Sequence, residues 1–380
     1  MDFYGYMRPN GKAGARNYVL LLPVNRSLNF IASNVERMTR NTHHFEIPAE
    51  TGRTEVDREV IARTLIGLMN NANVGGIVLL AVKSGAGSAY KNMCAERFEE
   101  EARKTGKPFR IVYLTNVGGS YNMLGETLRL TREVLLEVSD FRRENCPLSA
   151  LTLGVKCGTS DATSGIAGNP CVGAAFDQLI RAGGTAFFSE TTEIIGAEDL
   201  VAKRAVNESV AKKILSAARH WEDKAKATGE DIRKINPIPA NIAAGISSLE
   251  EKSLGAIAKS GTSPIQDVLK YAEMPKGSGL YFVDSWMSSL SLPLCLTACG
   301  ATIMLYQMGG GKIAQHPMMP SINPTVVSPF LYLTGNAIAY SRAPDNFDFD
   351  ASPIMTEGAS IPEMGTKLLE HLSAIASGTM

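Results

Sequence analysis

The stretch LTLGVKCGTSDATSGIAGNPCVGAAFDQLIRAGGTAFFS, residues 151–189, decides the predicted fold. Residues 151–155 are mostly apolar and predict a buried strand, and residues 185–189 predict another. Residues 172–182, which lie between them, are predicted as a helix. Because strands that alternate with helices are typical of parallel sheets, this stretch indicates an α/β domain.

The same alternation continues through the rest of the chain. Further strands are predicted at residues 18–23, 75–82, 109–114, 279–284 and 301–306. Further helices are predicted at residues 55–70, 89–105, 124–140, 199–226, 255–272 and 364–376. We therefore expect an α/β fold with two Rossmann-like, three-layer domains and mainly parallel sheets.

The boundary between the two expected domains is placed near Pro147. Residues 141–148 are polar, contain this proline and are interpreted as a linker. The first α/β domain is then expected at residues 1–145, and a C-terminal α/β catalytic domain at residues 146–380.

The composition excludes several classes of protein. The 380 residues include 38 lysines and arginines and 38 aspartates and glutamates, so we expect no nucleic-acid or membrane-surface partner that needs a basic face. The longest apolar stretch, residues 290–306, is interrupted by Pro293 and Gly300 and is shorter than the about 20 residues of a membrane-spanning helix. No signal peptide is recognised at the N-terminus, so we expect a cytoplasmic protein with six reduced cysteines.

The loop at residues 156–170 is the first candidate site. It contains three glycines, four hydroxyl groups, one thiol and one carboxylate, and it lies between a predicted strand and a predicted helix. Small residues let backbone amides approach a ligand, and the N-terminus of a helix favours an anion. The alternative interpretation is an ordinary connection between a strand and a helix.

Residues 189–198 are the second candidate site, because Glu190, Glu193 and Glu198 directly follow a predicted strand. Ligands of open α/β sheets bind at the carboxyl ends of strands, and carboxylates can bind a metal or remove a proton. Glu190 and Glu193 could share one face of a first helical turn. The alternative is that these acidic residues only stabilise the start of a helix.

The third candidate site lies at residues 241–255, where Glu251 and Lys252 are surrounded by small residues. A lysine in this position could bind a carboxylate, or act as a base if it is removed from water. The alternative is a solvated helix face.

These three segments, together with GYMRPNGKAGARN at residues 5–17, resemble one family over nearly the whole chain. It is the family of altronate and galactarate dehydratases, with the related large subunit of sulfolactate sulfo-lyase. The resemblance implies that water or sulfite is eliminated from a small hydroxylated or sulfonated acid to give a 2-keto acid. It also implies a divalent metal in many members and a small SAF-type domain, which we expect here as a separate subunit.

The resemblance implies roles for individual residues. The residues expected to be catalytic are Cys157, Ser160, Asp161, Glu193 and Lys252. The residues expected from the resemblance to bind the substrate are Gly158, Ser164, Asn169, Asn241 and Glu251; Arg26 and Lys83 are expected to bind it because of a departure from the family pattern. The residues expected to bind a metal (Fe, Mn, Mg or Ca) are Glu190, Glu193 and Glu198. Which of these residues is the general base stays open.

The chain departs from the family in its first domain, where three cysteines of the family pattern are missing. The corresponding regions are residues 23–27, 46–52 and 81–87, and none contains a cysteine. Since dispersed thiolates suit iron and iron–sulfur sites, we do not expect an iron–sulfur cluster here. Arg26 and Lys83 lie in two of these regions and could hold an anionic substrate instead.

The leading functional prediction is a dehydratase that acts on a small hydroxy acid or sugar acid. One alternative is a cluster-free lyase or isomerase, including a sulfo-lyase, in which Lys252 or a glutamate moves the proton. The other alternative is a non-catalytic subunit that binds an acid. A homo-oligomer is expected in each case.

Overall fold

Two parallel sheets and one small antiparallel sheet organise the residues that the computed structural model describes, namely 1–83, 90–310 and 324–379. Residues 84–87, part of one region without the expected cysteine, and residue 89, the predicted start of a helix, lie outside the described residues.

The first parallel sheet has four strands, in the order β4-β3-β5-β6. Its strands are β3 (Tyr18–Pro23), β4 (Thr42–His44), β5 (Val74–Ala81) and β6 (Phe109–Tyr113). Its helices are α1 (Asn29–Met38), α2 (Glu55–Asn70), α3 (Ala95–Lys104), α4 (Leu114–Val117) and α5 (Ser120–Ser139). Every residue of β5 is buried, as expected for an apolar strand covered on both faces.

The second parallel sheet has seven strands, in the order β10-β11-β9-β8-β12-β13-β14. These are β8 (Thr152–Gly158), β9 (Thr185–Phe188), β10 (Ile265–Leu269), β11 (Gly279–Val283), β12 (Ile303–Met308), β13 (Phe330–Thr334) and β14 (Phe349–Asp350). Apolar clusters lie on both faces of the sheet. The predicted α/β fold with mainly parallel sheets is therefore confirmed.

Ten helices of the described residues accompany the second sheet. They are α6 (Asn169–Arg181), α7 (Glu198–Ala202), α8 (Glu208–Lys226), α9 (Ile232–Ile235), α10 (Pro239–Ala243), α11 (Leu249–Ile257), α12 (Ser291–Cys299), α13 (Ala337–Arg342), α14 (Pro353–Thr356) and α15 (Ile361–Ala376).

The linker predicted at residues 141–148 is wrong in part, because β7 (Glu144–Pro147) lies within it. This strand pairs antiparallel with β1 (Asp2–Met7), and β1 also pairs with β2 (Ala13–Gly14). The pairing joins Phe3 to Cys146, and both side chains are buried in the core of the second sheet. The domain boundary placed at residues 145 and 146 falls inside β7 and stays a prediction.

Two of the predicted helices are also wrong. The helix at residues 199–226 is interrupted between α7 and α8, because the Asn207 side chain accepts the Val210 N–H and caps a new helix. The helix at residues 255–272 ends early. Gly261 has a φ of 65°, which helical residues do not adopt, and the polar edge strand β10 follows it.

Close packing between α2 and α12 fixes the first sheet against the second. A Cβ atom on Gly67 would lie 2.2 Å from the Ala298 carbonyl oxygen, so only glycine allows this approach. The Asn71 side-chain amide donates to the carbonyls of Thr297 and Ala301, each at 2.9 Å. Most of the apolar stretch at residues 290–306 is buried in this region.

Among the described helices, none combines the length and apolarity needed to cross a membrane.

Candidate active site

The candidate site lies where the strand order of the second sheet changes direction. From β8, the chain continues through β9 on one side of the sheet and returns through β12 on the other. Such a switch point leaves a crevice at the carboxyl ends of the two central strands, where open α/β sheets bind ligands. Cys157 of β8 and Gln307 of β12 are register partners at these ends.

The loop after β8 is held around the carboxylate of Asp161. Its Oδ1 atom accepts hydrogen bonds from Thr163 Oγ1 at 2.6 Å and from the Ser164 N–H at 3.1 Å. Its Oδ2 atom accepts one from Asn336 Nδ2 at 2.8 Å. A Cβ atom on Gly309 would lie 2.5 Å from the Asp161 carboxyl carbon, so this glycine is needed for the approach.

A π-helical turn, Ser164–Gly168, leads from this loop into α6. Such turns are rare and occur frequently at functional sites. Gly165 in the turn meets Gly255 of α11: a Cβ atom on Gly165 would lie 3.0 Å from the Gly255 Cα. The turn and α11 therefore cross at two glycines and form the walls of one cavity.

This cavity measures about 260 Å³ and brings together predicted site residues from two separate segments. Its polar lining residues are Ser160, Asp161, Ser164, Asn169, Glu251 and Lys252. Ile166, Ile246 and Leu254 contribute apolar surface. The first and third candidate segments therefore form one site.

Lys252 is buried in the wall of the cavity. Its Nζ atom donates to Asn236 Oδ1 at 2.6 Å and to Asn241 Oδ1 at 2.8 Å. The Asn241 amide donates in turn to the Ser160 carbonyl at 2.9 Å and so links the two segments. Burial disfavours the charged form and lowers the pKa of Lys252 from its ordinary value of 10.5.

Behind the cavity, two glutamates and two lysines form a buried charge cluster of Glu190, Glu193, Lys156 and Lys259. Lys259 Nζ lies 2.5 Å from Glu190 Oε2 and 2.9 Å from Glu193 Oε2. Lys156 Nζ lies 3.4 Å from Glu190 Oε1. All four side chains are at most 4% exposed, so their two positive and two negative charges must balance one another.

The cluster shifts the pKa values of Lys156, Lys259 and Glu193 toward the charged forms. Burial opposes the charge of Lys259, but the carboxylates of Glu190 and Glu193 hold its pKa well above the ordinary value. Burial likewise opposes the charge of Glu193, but Lys259, together with Lys252 and Lys156, holds its pKa below the ordinary value. The ion pairs therefore outweigh the desolvation of both groups.

Cys157 contacts this cluster through its backbone. Its N–H donates to Glu190 Oε2 at 2.8 Å, and its Sγ atom lies 3.2 Å from Asn169 Oδ1 and 3.6 Å from Gln307 Oε1. Burial raises the pKa of the Cys157 thiol to about 12. The thiol is therefore protonated at neutral pH and acts as a hydrogen-bond donor rather than a nucleophile.

Cys157, Glu190 and Glu193 together form a buried group that could hold a metal ion, with potential ligand atoms within 4.8 Å of one another. Glu198, predicted as a third carboxylate ligand, lies elsewhere and forms an ion pair with Arg233 at 2.6 Å. The fit to a divalent ion fails in the arrangement described, because the ammonium of Lys259 already donates to both carboxylates of the group.

Two residues beside the site have left-handed backbones, which non-glycine residues rarely adopt. Thr159 has a φ of 39°, and Glu190 has a φ of 74° directly after β9. The cost is of order 1–3 kcal/mol for each residue, and such strain concentrates at functional sites. Glu190 combines this backbone conformation with a carboxylate that is buried beside Lys156 and Lys259.

The prediction that Glu190 and Glu193 share one face of a helical turn is wrong, because only Thr191–Glu193 form a short 3₁₀ turn.

Three predicted binding residues are exposed. Arg26 and Lys83 follow the neighbouring strands β3 and β5, and neither lines the cavity as formed by the described residues. Glu251 lies at the cavity, but its carboxylate accepts the Ser247 N–H at 2.7 Å, close to the start of α11. Gly158 is placed by contact with β12, because a Cβ atom there would lie 2.4 Å from the Tyr306 hydroxyl.

Three polar residues of the site were missed by the sequence analysis: Lys259, Gln307 and Asn336. Lys156 lies in the first candidate segment, but no role was predicted for it. Gln307 is fully buried, and its Nε2 atom has no hydrogen-bond partner among the described residues. Lys259 and Asn336 approach the site only through the fold, and no local pattern marks them.

Two family models together match most of the chain. Residues 148–380 match the family model described as D-galactarate/Altronate dehydratase, C-terminal. Residues 5–139 match the model described as D-galactarate dehydratase/Altronate hydrolase, second domain.

Three relatives cover nearly all of the chain. The (2R)-sulfolactate sulfo-lyase subunit beta of Chromohalobacter salexigens is 32% identical over 99% of this chain and 92% of its own length. The altronate dehydratase of Bacillus subtilis is 30% identical over 100% of this chain and 74% of its own. The galactarate dehydratase (L-threo-forming) of Escherichia coli is 30% identical over 99% of this chain and 73% of its own length. The chain therefore belongs to the D-galactarate/altronate dehydratase family.

Proposed function

We propose that the protein is a hydro-lyase that eliminates water from a small anionic hydroxy acid and yields a 2-keto acid. The observation that carries this proposal is the position of the buried Lys252 amine in the wall of the cavity that Asp161 and Ser164 also line. Drug-sized ligands occupy cavities of about 300–1,000 Å³, so a cavity of about 260 Å³ favours a small molecule.

We propose Lys252 as the general base. A neutral amine has two N–H groups and one lone pair, and the oxygens of Asn236 and Asn241 accept two hydrogens from Nζ. The lone pair is then free to accept a proton from the carbon next to the substrate carboxylate. Because burial lowers the pKa of Lys252, a larger fraction of the amine is neutral than for a lysine in water.

The elimination balances with Lys252 alone. The amine takes the proton, the electrons of the C–H bond form a C=C bond, and the C–O bond at the neighbouring carbon breaks. The ammonium of Lys252 returns the proton to the departing hydroxide, so water leaves. The resulting enol becomes the 2-keto acid by tautomerisation. We propose that the hydroxyl groups of Ser160 and Ser164, with the amide of Asn169, orient the acid in the cavity.

The expected divalent metal is not part of the proposed wild-type enzyme, because Lys259 Nζ already donates to both carboxylates of the group that would hold it. Without Lys259, a group with one thiol would favour iron among iron, manganese, magnesium and calcium, because magnesium and calcium prefer oxygen ligands. The proposed reaction takes no step through such an ion, since Lys259 donates to the two carboxylates of the group.

A partner subunit and a second reaction are suggested by one relative. The Chromohalobacter salexigens protein is named a sulfo-lyase and a subunit beta. We therefore propose a separate small subunit of the SAF type for this chain, and loss of sulfite as the second candidate reaction. The roles of Arg26 and Lys83, a homo-oligomer and a cytoplasmic location stay predictions.

The full chain, with and without an added SAF subunit, is to be assayed on a panel of sugar acids and on (2R)-sulfolactate. Release of a 2-keto acid without sulfite is expected from a sugar acid, and Lys252→Met is expected to abolish it. Sulfite release would support the second candidate. Binding of acids without turnover by either preparation would contradict both reactions and favour an acid-binding subunit.

A further inference from the structure

The position between the carboxylates of Glu190 and Glu193 is where a divalent ion bound to this group would have to lie. Lys259 Nζ occupies it and donates to one oxygen of each carboxylate, at 2.5 Å and 2.9 Å. Magnesium lies about 2.0–2.1 Å from its oxygen ligands and zinc about 2.0–2.2 Å. An ion and the ammonium therefore compete for the same two oxygens.

The charges of the cluster lead to the same conclusion. Two carboxylates face two ammonium groups, and all four side chains are almost fully buried. A divalent ion would add two positive charges to a group that is already balanced and almost fully buried. An uncompensated charge in such a place is strongly unfavourable.

One unused position remains in the cluster. Glu190 Oε1 is buried, accepts no hydrogen bond from the described residues and lies 3.4 Å from Lys156 Nζ. Cys157 Sγ, a carboxylate oxygen of Glu190 and one of Glu193 lie within 4.8 Å of one another, so a set of donors is present, but Lys259 Nζ is bound to both carboxylates.

We infer that Lys259 acts as a permanent cation in the place of a divalent metal between Glu190 and Glu193. We call Cys157, Glu190 and Glu193 the latent site, because this group would bind a metal once the Lys259 ammonium is removed. This inference concerns the charge cluster and does not depend on which reaction the cavity catalyses.

The test removes the ammonium while keeping the length of the side chain. Wild type, Lys259→Met and Lys252→Met are purified as full chains, treated with a chelator and titrated with Co²⁺. Binding is followed by metal analysis and by the thiolate-to-cobalt absorption band. Lys252→Met is the matched control, because it removes a neighbouring buried lysine that does not bind the two carboxylates.

We expect no stoichiometric Co²⁺ in wild type or in Lys252→Met. Lys259→Met is expected to bind one equivalent about 10²-fold or more tightly than wild type, with an absorption band that disappears in Lys259→Met/Cys157→Ala. If Lys259→Met folds and binds no Co²⁺, the latent site does not exist.

The wild type keeps the inference testable even if Lys259→Met does not fold. The inference would be overturned if wild type bound one equivalent of Fe²⁺ or Co²⁺ and the Glu193→Gln or Cys157→Ala variant did not. Wild type without bound metal, whose melting temperature is the same with and without chelator, supports it.

Discussion

Asn241 binds Lys252 and Ser160 at the same time: its Oδ1 atom accepts from Lys252 Nζ at 2.8 Å, and its Nδ2 atom donates to the Ser160 carbonyl at 2.9 Å. The two residues belong to segments about 90 positions apart in the chain. One amide therefore fixes the distance between the amine and the loop that holds Asp161, and the first predictions follow from this arrangement.

Lys252→Met is expected to lower kcat by about 10²–10⁴-fold, the usual contribution of a general base. In wild type, the neutral amine of Lys252 is the active base. We therefore expect kcat/KM to rise with pH and to level off above the pKa of Lys252, which burial places below 10.5. A pH–rate profile of both proteins on an active acid tests this. The exposed Lys203→Met is the control, and equal activity of the three proteins would exclude Lys252 as the base.

Asn236→Asp is expected to move the same pH profile to higher pH. It places a carboxylate at the position where an amide oxygen now lies 2.6 Å from Lys252 Nζ. A neighbouring opposite charge favours the ammonium and raises the pKa by about 1–3 units. Turnover at neutral pH should fall about tenfold or more and recover at high pH. A purely structural role of Asn236 would lower turnover equally at every pH.

Gly309→Ala is expected to destabilise the protein by about 1–3 kcal/mol, as overpacking of a buried site does. The added Cβ would lie 2.5 Å from the Asp161 carboxyl carbon and 2.7 Å from Ser164 Oγ, so kcat should also fall. Gly125→Ala in α5 is the control, because no atom lies within 4 Å of its added Cβ. This control should stabilise the protein by about 0.5–1 kcal/mol. Urea denaturation of wild type, Gly309→Ala and Gly125→Ala measures the two changes in stability.

Glu193→Gln is expected to lower the free energy of unfolding at pH 7 by about 3–5 kcal/mol, because Lys259 loses one partner of a buried ion pair. The pKa of Glu193 is lowered in the folded protein, so its contribution is complete above the unfolded value of 4.5 and is lost as the pH falls through the folded value. Urea denaturation should therefore show a smaller difference from wild type well below pH 4.5. The exposed Glu250→Gln should change stability by less than about 0.5 kcal/mol at both pH values.

The sequence predicted the elements with strong apolar patterns and missed those that depend on backbone conformation. Strand β3 and helix α2 have the predicted bounds, because one is a continuous apolar run and the other begins with a Thr54 capping box. The interruption at Asn207 and the turn at Gly261 were missed, since charged and small residues continue a helical pattern through both positions.

For the site, the segments were predictable but their partners were not. Asp161, Ser164, Asn169 and Lys252 do line one cavity, as the clustering of polar and small residues suggested. The pairing of Lys259 with two glutamates depends on the end of α11 meeting the end of β9. That meeting is a property of the folded chain, and the residues around Lys259 carry no pattern that marks it.

The cavity around the crossing of Gly165 and Gly255 has apolar walls, and none of these wall residues belongs to the buried charge cluster. The charge cluster lies at the strand ends, whereas Ile166, Ile246 and Leu254 line the cavity around the two crossing glycines. Substitutions at these three apolar positions change the shape of the cavity without touching the cluster. We therefore expect enzymes of this family that take different acids to differ in the walls of this cavity and to keep the same buried charges.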